Sequence, residues 1–264
     1  MKIHPTASID PTAEIGEDVE IGAYSVIGAN VVIGDRTKVH SQVVIEQYVT
    51  LGTECEVFPG AVLGGIPQDR KFKGEKSFLI IGNNNIIREH VTMHRAAGAG
   101  NETRLGDNNL IMAYGHIGHN STLGSGITMA NMVGISGHVL IEDRVVLGGI
   151  VGVHQFVRIG RLAMVGGYSK VVQDVPPFMM ADGRPSKVLD LNVIGLRRSG
   201  VSASTRLDLK QVYKLLYRSD MNKSQALATI ESDVRQSPER DYLLEFVRHI
   251  RFGSNGRQND APRG

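Results

Sequence analysis

One cysteine, Cys55, stands in 264 residues, and there is no tryptophan. A lone thiol excludes an intrachain disulfide framework, opens no cysteine-rich metal motif and fits a reducing compartment. An excess of charge is missing too. Lys and Arg number 29 against 27 Asp and Glu, and the net +2 argues against a dedicated nucleic-acid binder. No apolar run reaches the roughly 20 residues of a membrane span. The opening MKIHPTASIDPTAEIG has no charged segment followed by an apolar one, so no signal peptide is expected. A soluble, cytoplasmic protein is the expectation. Neither GxGxxG nor a P-loop is present, which excludes the dinucleotide and ATP folds that use them. A nucleophile elbow and a Ser-His-Asp set are also missing, which disfavours a covalent acyl-enzyme.

What is present is a repeat of six. From Ile3 the chain parses as IHPTAS, IDPTAE, IGEDVE, IGAYSV, IGANVV, IGDRTK, and from Leu105 as LGDNNL, IMAYGH, IGHNST, LGSGIT, MANMVG, ISGHVL, IEDRVV, LGGIVG, VHQFVR, IGRLAM, VGGYSK. An aliphatic residue or Met opens each unit, often followed by Gly or another small residue. A period of six is neither helical nor that of a plain strand. It fits one short strand plus one tight turn. Three units close a triangular coil of eighteen residues, and stacked coils bury their aliphatics in one continuous core. Gly and Asn after the aliphatic suit turns that need positive φ. The period blurs at about 64–80 and 96–104, where loops are expected to leave the coil. The pattern resembles the hexapeptide-repeat family, and that resemblance supplies the left hand of the parallel β-helix. The domain expected from residues 1–185 is therefore mainly β.

Residues eighteen apart lie above one another. IGHNST, ISGHVL and VHQFVR are then three floors of one face, carrying His119, His138, and His154 with Gln155, while His116 ends the preceding unit. Four imidazoles and an amide on one edge point to a site. Histidine moves protons near neutral pH, and Gly137 falls over His119, where its N–H could meet an oxyanion. A base, a hydroxyl and a thioester carbonyl would make an acyltransferase. Three histidines and a water would make a zinc centre of the β-helical carbonic anhydrase kind. The residues alone leave both open, and a noncatalytic β-helix fits the cluster less well.

Beyond VPPFMMADGRPSK the six-residue period stops. Residues 186–264 are expected to form a helical domain capping the open end of the coil, with Leu207, Val212, Leu215 and Leu216 as one stripe. Leu243, Leu244, Phe246, Val247 and Ile250 make a second stripe, polar breaks at 219–224 separate the two, and a tail from Gly253 is expected to fray. Basic groups gather in the first loop, IPQDRKFKGE, with Gln68, Asp69, Arg70, Lys71 and Lys73. Others lie at the junction LNVIGLRRSG, with Asn192, Arg197 and Arg198. Guanidinium forks suit phosphate oxygens, and a nucleotide-sugar diphosphate is the substrate class they suggest.

The segments IPQDRKFKGE, NIIREHVTMHR, GHIGHNSTLG, ISGHVLIED, GGIVGVHQFVRIG, VGGYSKVVQDVPPF and NVIGLRRSG, in order along nearly the whole chain, resemble the UDP-N-acetylglucosamine O-acyltransferases that begin lipid A biosynthesis. The resemblance implies transfer of a 3-hydroxyacyl group from acyl carrier protein to the glucosamine 3-hydroxyl, in a homotrimer with sites between subunits and no metal or other cofactor. It makes His119 the general base and Gly137 the oxyanion donor. It makes Gln68, Asp69, Lys71, His116, His138, His154, Gln155, Asn192, Arg197 and Arg198 substrate-binding residues, and Gly167 the residue limiting acyl length. Gly167 falls above Gly149 and Asn131 by the eighteen-residue rule. Two positions depart from the family pattern. Asn120 follows the base where Asp is common, which removes a charge that would stabilise imidazolium, and Ser199 follows Arg198 where a further arginine is common. The chain enters the repeat at Ile3, which is expected to leave no place for the N-terminal uridine-binding domain of the related N-acyltransferase.

Overall fold

Two side chains of every six point inward. The opening aliphatics Ile117, Leu123, Met129, Ile135, Ile141 and Leu147 are at most 1% exposed, and so are Ser121, Ile127, Val133, Val139 and Val145, four residues after each opener. The sequence pattern reveals only the first of these positions. The second takes small or β-branched residues, including hydroxyls that bond to the backbone across the coil. Ser25 Oγ donates to the His40 carbonyl at 2.8 Å, Thr37 Oγ1 to Gly52 at 2.8 Å and Ser121 Oγ to Ser136 at 2.9 Å. Polar atoms thus enter the core without being stranded there.

The computed structural model describes residues 2–252, so the tail from Gly253 lies outside the described residues. The chain winds as a left-handed parallel β-helix. Lys2–Ile3 pairs with Glu20–Ile21, Ser8–Ile9 with Val26–Ile27, and Glu14–Ile15 with Val32–Ile33, each parallel and eighteen residues on. Three sheets result, called here the first, second and third faces in that order.

The turns correct one expectation. Positive φ falls on the third residue after each aliphatic, which is seldom glycine: Tyr24 (58°), Asn30 (55°), Arg36 (57°), Gln42 (59°) and Tyr48 (64°) continue in step up the coil. Glycine directly after the aliphatic answers to stacking instead. A Cβ on Gly34 would lie 2.6 Å from the carbonyl carbon of Gly52 in the next coil, and one on Gly118 would lie 2.7 Å from that of Ser136.

Two loops leave the coil, and both are tighter than the composition suggests. Glu56 pairs with Ile86 and Phe78 with Glu102, so the register steps by 30 and 24 there instead of 18. Val62–Gly65, Phe78–Ile81 and Glu102–Leu105 remain strands. The excursions are therefore residues 66–77 and 95–101, because backbone pairing to the neighbouring coils persists through sequence that has lost the period.

At the far end, Met179–Gly183 pairs parallel to Met164–Val165 and antiparallel to Ser186–Leu191. Residues 186–191, expected in the helical region, instead extend the first face as a hairpin. Helices follow: α1 (Val193–Arg198), α2 (Ala203–Tyr217), α3 (Lys223–Asp233) and α4 (Pro238–Phe252). α3 occupies part of the interval where only a polar break was expected. It starts in a capping box of Asn222 and Gln225. Leu207 is 72% exposed, and Leu209, Val212 and Tyr213 form the buried side of α2, whereas the α4 stripe is buried as expected. Phe178, Met179 and Leu191 join these helices in a second core. Polar contacts fasten it to the coils. Tyr242 Oη donates to Glu142 at 2.5 Å, and Arg158 pairs with buried Asp174 at 3.0 Å while stacking on Phe246. Among the described residues no helix is long and apolar enough to cross a membrane.

Gly34→Ala is expected to destabilise the protein by about 1–3 kcal/mol, because the methyl is driven into the next coil. Gly152→Ala, whose Cβ meets nothing within 4 Å, is the control and is expected to be neutral or slightly stabilising. Denaturant midpoints of the two variants check this; equal midpoints would sink the stacking account.

Candidate active site

The three corners of the prism differ in character, and this places the chemistry. Between the third and first faces the positive-φ residues are Asp18, Arg36, Glu54, Asn84, Asn108, Gly126, Arg144 and Leu162, an edge polar over most of its length. Between the first and second faces they are Tyr24, Gln42, Gly60, His90, Tyr114, Met132, Ile150 and Tyr168, and the last four form an apolar ridge, all between 42% and 60% exposed. Between the second and third faces the non-glycine ones are Asn30, Tyr48, Asn120, His138 and Phe156, and here, in the upper coils, the histidines gather.

A cleft of about 300 Å³ opens at this last corner, lined by Gln68, His94, His116, Gly118, His119, Gly134, Ile135, Ser136, Gly137 and Gln155. His119 is only 7% exposed. Its Nδ1 lies 2.8 Å from Asn120 Oδ1, while Nε2 faces the Gly137 backbone, where an added Cβ would sit 2.8 Å away. Glycine is required there, since any side chain would fill the space in front of the imidazole. The Gly137 N–H has no hydrogen-bond partner among the described residues. At some equivalent steps of the polar edge this N–H is taken by a carboxylate from the next coil: Glu17 by Asp35 at 2.8 Å and Ser125 by Asp143 at 2.7 Å. Above Gly137 that step is Gln155, and the donor stays free for a ligand.

The other imidazoles frame the cleft. His138 meets His119 edge to face at 5.2 Å and stacks on Phe156 at 5.0 Å. His116 Nδ1 lies 2.8 Å from Thr92 Oγ1, and its ring meets His94 at 4.9 Å. Burial, followed by the neighbouring imidazoles, pushes His94 down to about 4. The same causes in the same order lower His116. His138 is lowered first by burial, then by His119, with Asp69 pulling the other way. The walls are thus kept neutral near pH 7.

His94 is the residue the sequence reading passed over. Thr92 pairs with His116 across a step of 24, because the second excursion adds six residues, and a fixed rule of eighteen misses the alignment. The reverse holds for His154. It is exposed and lies outside the cleft wall of the single chain, its Nδ1 3.3 Å from the Gln155 carbonyl. Gln68 reaches the cleft from the first excursion. Asp69 braces that excursion by accepting from the Lys71 N–H at 2.9 Å, and Lys71 is exposed. Asn192 caps α1, accepting from Gly195 and donating to the Leu162 carbonyl at 2.8 Å. Arg197 and Arg198 are exposed in the last turn of α1. None of these three lines the cleft of their own chain. Gly167 stands over Gly149, its Cβ position 3.3 Å from the Gly149 carbonyl oxygen, on the apolar corner and not the histidine corner. Among the described residues no three His, Cys, Asp or Glu side chains are placed to hold a metal ion.

Residues 174–256 match the family described as UDP N-acetylglucosamine O-acyltransferase, domain 2, and residues 1–35 match the bacterial transferase hexapeptide. The chain is 47% identical to the acyl-[acyl-carrier-protein]–UDP-N-acetylglucosamine O-acyltransferase of Synechocystis sp. over 222 residues, 83% of this chain and 79% of that protein. Its fold is similar to the UDP-N-acetylglucosamine O-acyltransferase of Moraxella catarrhalis, with a TM-score of 0.89 and 38% identity over 100% of this chain and 99% of that one. It is also similar to the UDP-N-acetylglucosamine acyltransferase of Bacteroides fragilis, with a TM-score of 0.88 and 39% identity over 93% and 96%.

The depressed His94 carries a stability signature. Its folded value lies near 4 against an ordinary 6.5, so between those limits the unfolded chain binds the extra proton. Stability from this site is complete above pH 6.5, declines as pH falls towards 4, and changes no further below that. His94→Gln is expected to flatten the pH dependence of unfolding in that window. An unchanged slope would show that His94 titrates normally.

Proposed function

The chain belongs to the UDP-N-acetylglucosamine O-acyltransferase family, and from that premise we propose that it moves a 3-hydroxyacyl group from acyl carrier protein to the glucosamine 3-hydroxyl of UDP-N-acetylglucosamine, the first step of lipid A biosynthesis, in the cytoplasm. The observation that carries this reading is the pairing of a buried imidazole, its Nδ1 engaged and its Nε2 open to the cleft, with an unbonded backbone N–H one coil above.

His119 Nε2 takes the proton of the sugar 3-hydroxyl as its oxygen attacks the thioester carbonyl. The Gly137 N–H receives the developing oxyanion, and its donor is already aimed before the charge forms. Collapse expels the carrier's thiolate, which takes the proton back from the His119 imidazolium. Bond for bond, the thioester becomes an ester and the base is restored. No metal and no covalent acyl-enzyme is needed, and no other cofactor has a role. Neutral His116 and His138, with Gln155 and Gln68, offer hydrogen bonds to the sugar without charge that would compete with the base. Asp69, Lys71 and His154 line its approach.

The remaining site residues fit a homotrimer. Asn192, Arg197 and Arg198 lie off the cleft of their own chain, and guanidinium forks suit a diphosphate. The ridge of Tyr114, Met132, Ile150 and Tyr168 is an apolar edge of the kind that marks an interface. Packed against a neighbour's histidine corner, it brings Gly167 beside the acyl path and the arginines towards the sugar nucleotide.

His119→Ala is expected to lower kcat by about 10²- to 10⁴-fold with the oligomer and its unfolding curve intact, read by product mass from UDP-N-acetylglucosamine and acyl carrier protein donors. Near-full activity would remove His119 from the role of base. Gly167→Met is expected to shift donor preference towards shorter chains. Each buried methylene is worth about 0.8 kcal/mol, so two carbons change preference by roughly tenfold. An unmoved preference, or a wild type that already favours ten carbons, would place the chain-length limit elsewhere.

A further inference from the structure

We propose that the second excursion, residues 95–101, is a positioning device for His119 that acts through Asn120. The proposal rests on the reading of His119 as the base. The Ala97 backbone decides which way the Asn120 amide faces, and the amide decides which imidazole nitrogen is free.

Asn120 Oδ1 accepts from the Ala97 N–H at 2.9 Å, and Asn120 Nδ2 donates to the Ala97 carbonyl at 2.9 Å. A flipped amide would set NH₂ against N–H and oxygen against oxygen, so the sense of the side chain is fixed on both edges. Oδ1 is also the atom 2.8 Å from His119 Nδ1. Since that oxygen can only accept, Nδ1 carries the hydrogen and the lone pair lies on Nε2, facing Gly137 and the cleft. A neutral amide thus does the orienting work without a charge.

The device is itself braced. The Asn120 N–H donates to Oγ1 of buried Thr103 at 2.8 Å, and Asn120 sits at φ 60°, a conformation that asparagine tolerates better than most residues. Asn101 Nδ2 donates to the Ala97 carbonyl at 2.9 Å. The Gly98 N–H donates to Glu75 Oε1 at 2.8 Å, and Glu75 Oε2 accepts from the Lys73 N–H at 2.8 Å. The first excursion, which brings Gln68 to the cleft, therefore holds the second, and the second holds the base.

One consequence runs against simple charge logic. Aspartate at 120 would stabilise imidazolium, yet here it would set a carboxylate oxygen 2.9 Å from the Ala97 carbonyl in place of a donor. Asparagine is the residue this excursion accepts.

The test uses the full-length protein with ¹⁵N-labelled histidine. Long-range ¹H–¹⁵N correlations report each ring's tautomer, with His119 assigned by its loss in His119→Gln. The wild type is expected to show His119 protonated at Nδ1, and Asn120→Ala a mixture of tautomers. Asn120→Asp and Asn120→Ala are expected to lower kcat by about 10- to 100-fold, the scale of a misplaced catalytic group, with KM for the sugar nucleotide little changed. A wild-type ring protonated at Nε2, or an Asn120→Asp variant with kcat at or above wild type, overturns the proposal. If the variants do not fold, the wild-type tautomer still decides it. Should His119→Gln remain fully active, the base reading fails while the tautomer result stands on its own.

Discussion

Everything in this molecule depends on the vertical register of its coils. Each hexapeptide contributes two buried side chains and one left-handed corner. A left-handed residue other than glycine costs about 1–2 kcal/mol, and a fully buried aliphatic contributes about 1.5–3 kcal/mol, so the repeat holds only while both inward positions stay filled and stacked. That constraint explains the glycines after the aliphatics, which let the coils approach, and the serines and threonines at the second inward position, which reach back to the backbone.

A register so strict leaves few places for chemistry. The faces are committed to hydrogen-bonding, and the interior is filled. What remains free is the outward side chains of the faces, the corner side chains and those N–H groups that the next coil does not occupy. The molecule uses its three corners differently: one is polar and solvated, one is an apolar ridge, and one collects imidazoles. The Gly137 N–H is one such donor, and it lies directly above His119.

The cleft gains its character from burial more than from charge. His94 and His116 are pushed towards the neutral form chiefly by desolvation, and Asn120 contributes a neutral dipole beside His119. The result is a cleft of hydrogen-bonding groups around one buried imidazole. The two excursions supply what the coil cannot, namely side chains and backbone that approach the corner from outside.

The sequence by itself determined the coil. The six-residue period, the inward aliphatics and the eighteen-residue stacking of His119, Gly137 and Gln155 are all local facts repeated many times. So is the α4 stripe from Leu243 to Ile250. Legibility fails wherever the register is reset. His94 joins the cleft only because the second excursion adds six residues to the register, so that Thr92 pairs with His116, 24 residues on, and the hairpin at 186–191 forms because an existing sheet edge is there to pair with. The exposure of His154 and Leu207, and the grip of Ala97 on Asn120, were likewise decided by tertiary structure. A period specifies which residues stack above one another; it carries no information about what a loop that abandons the period will touch when it returns.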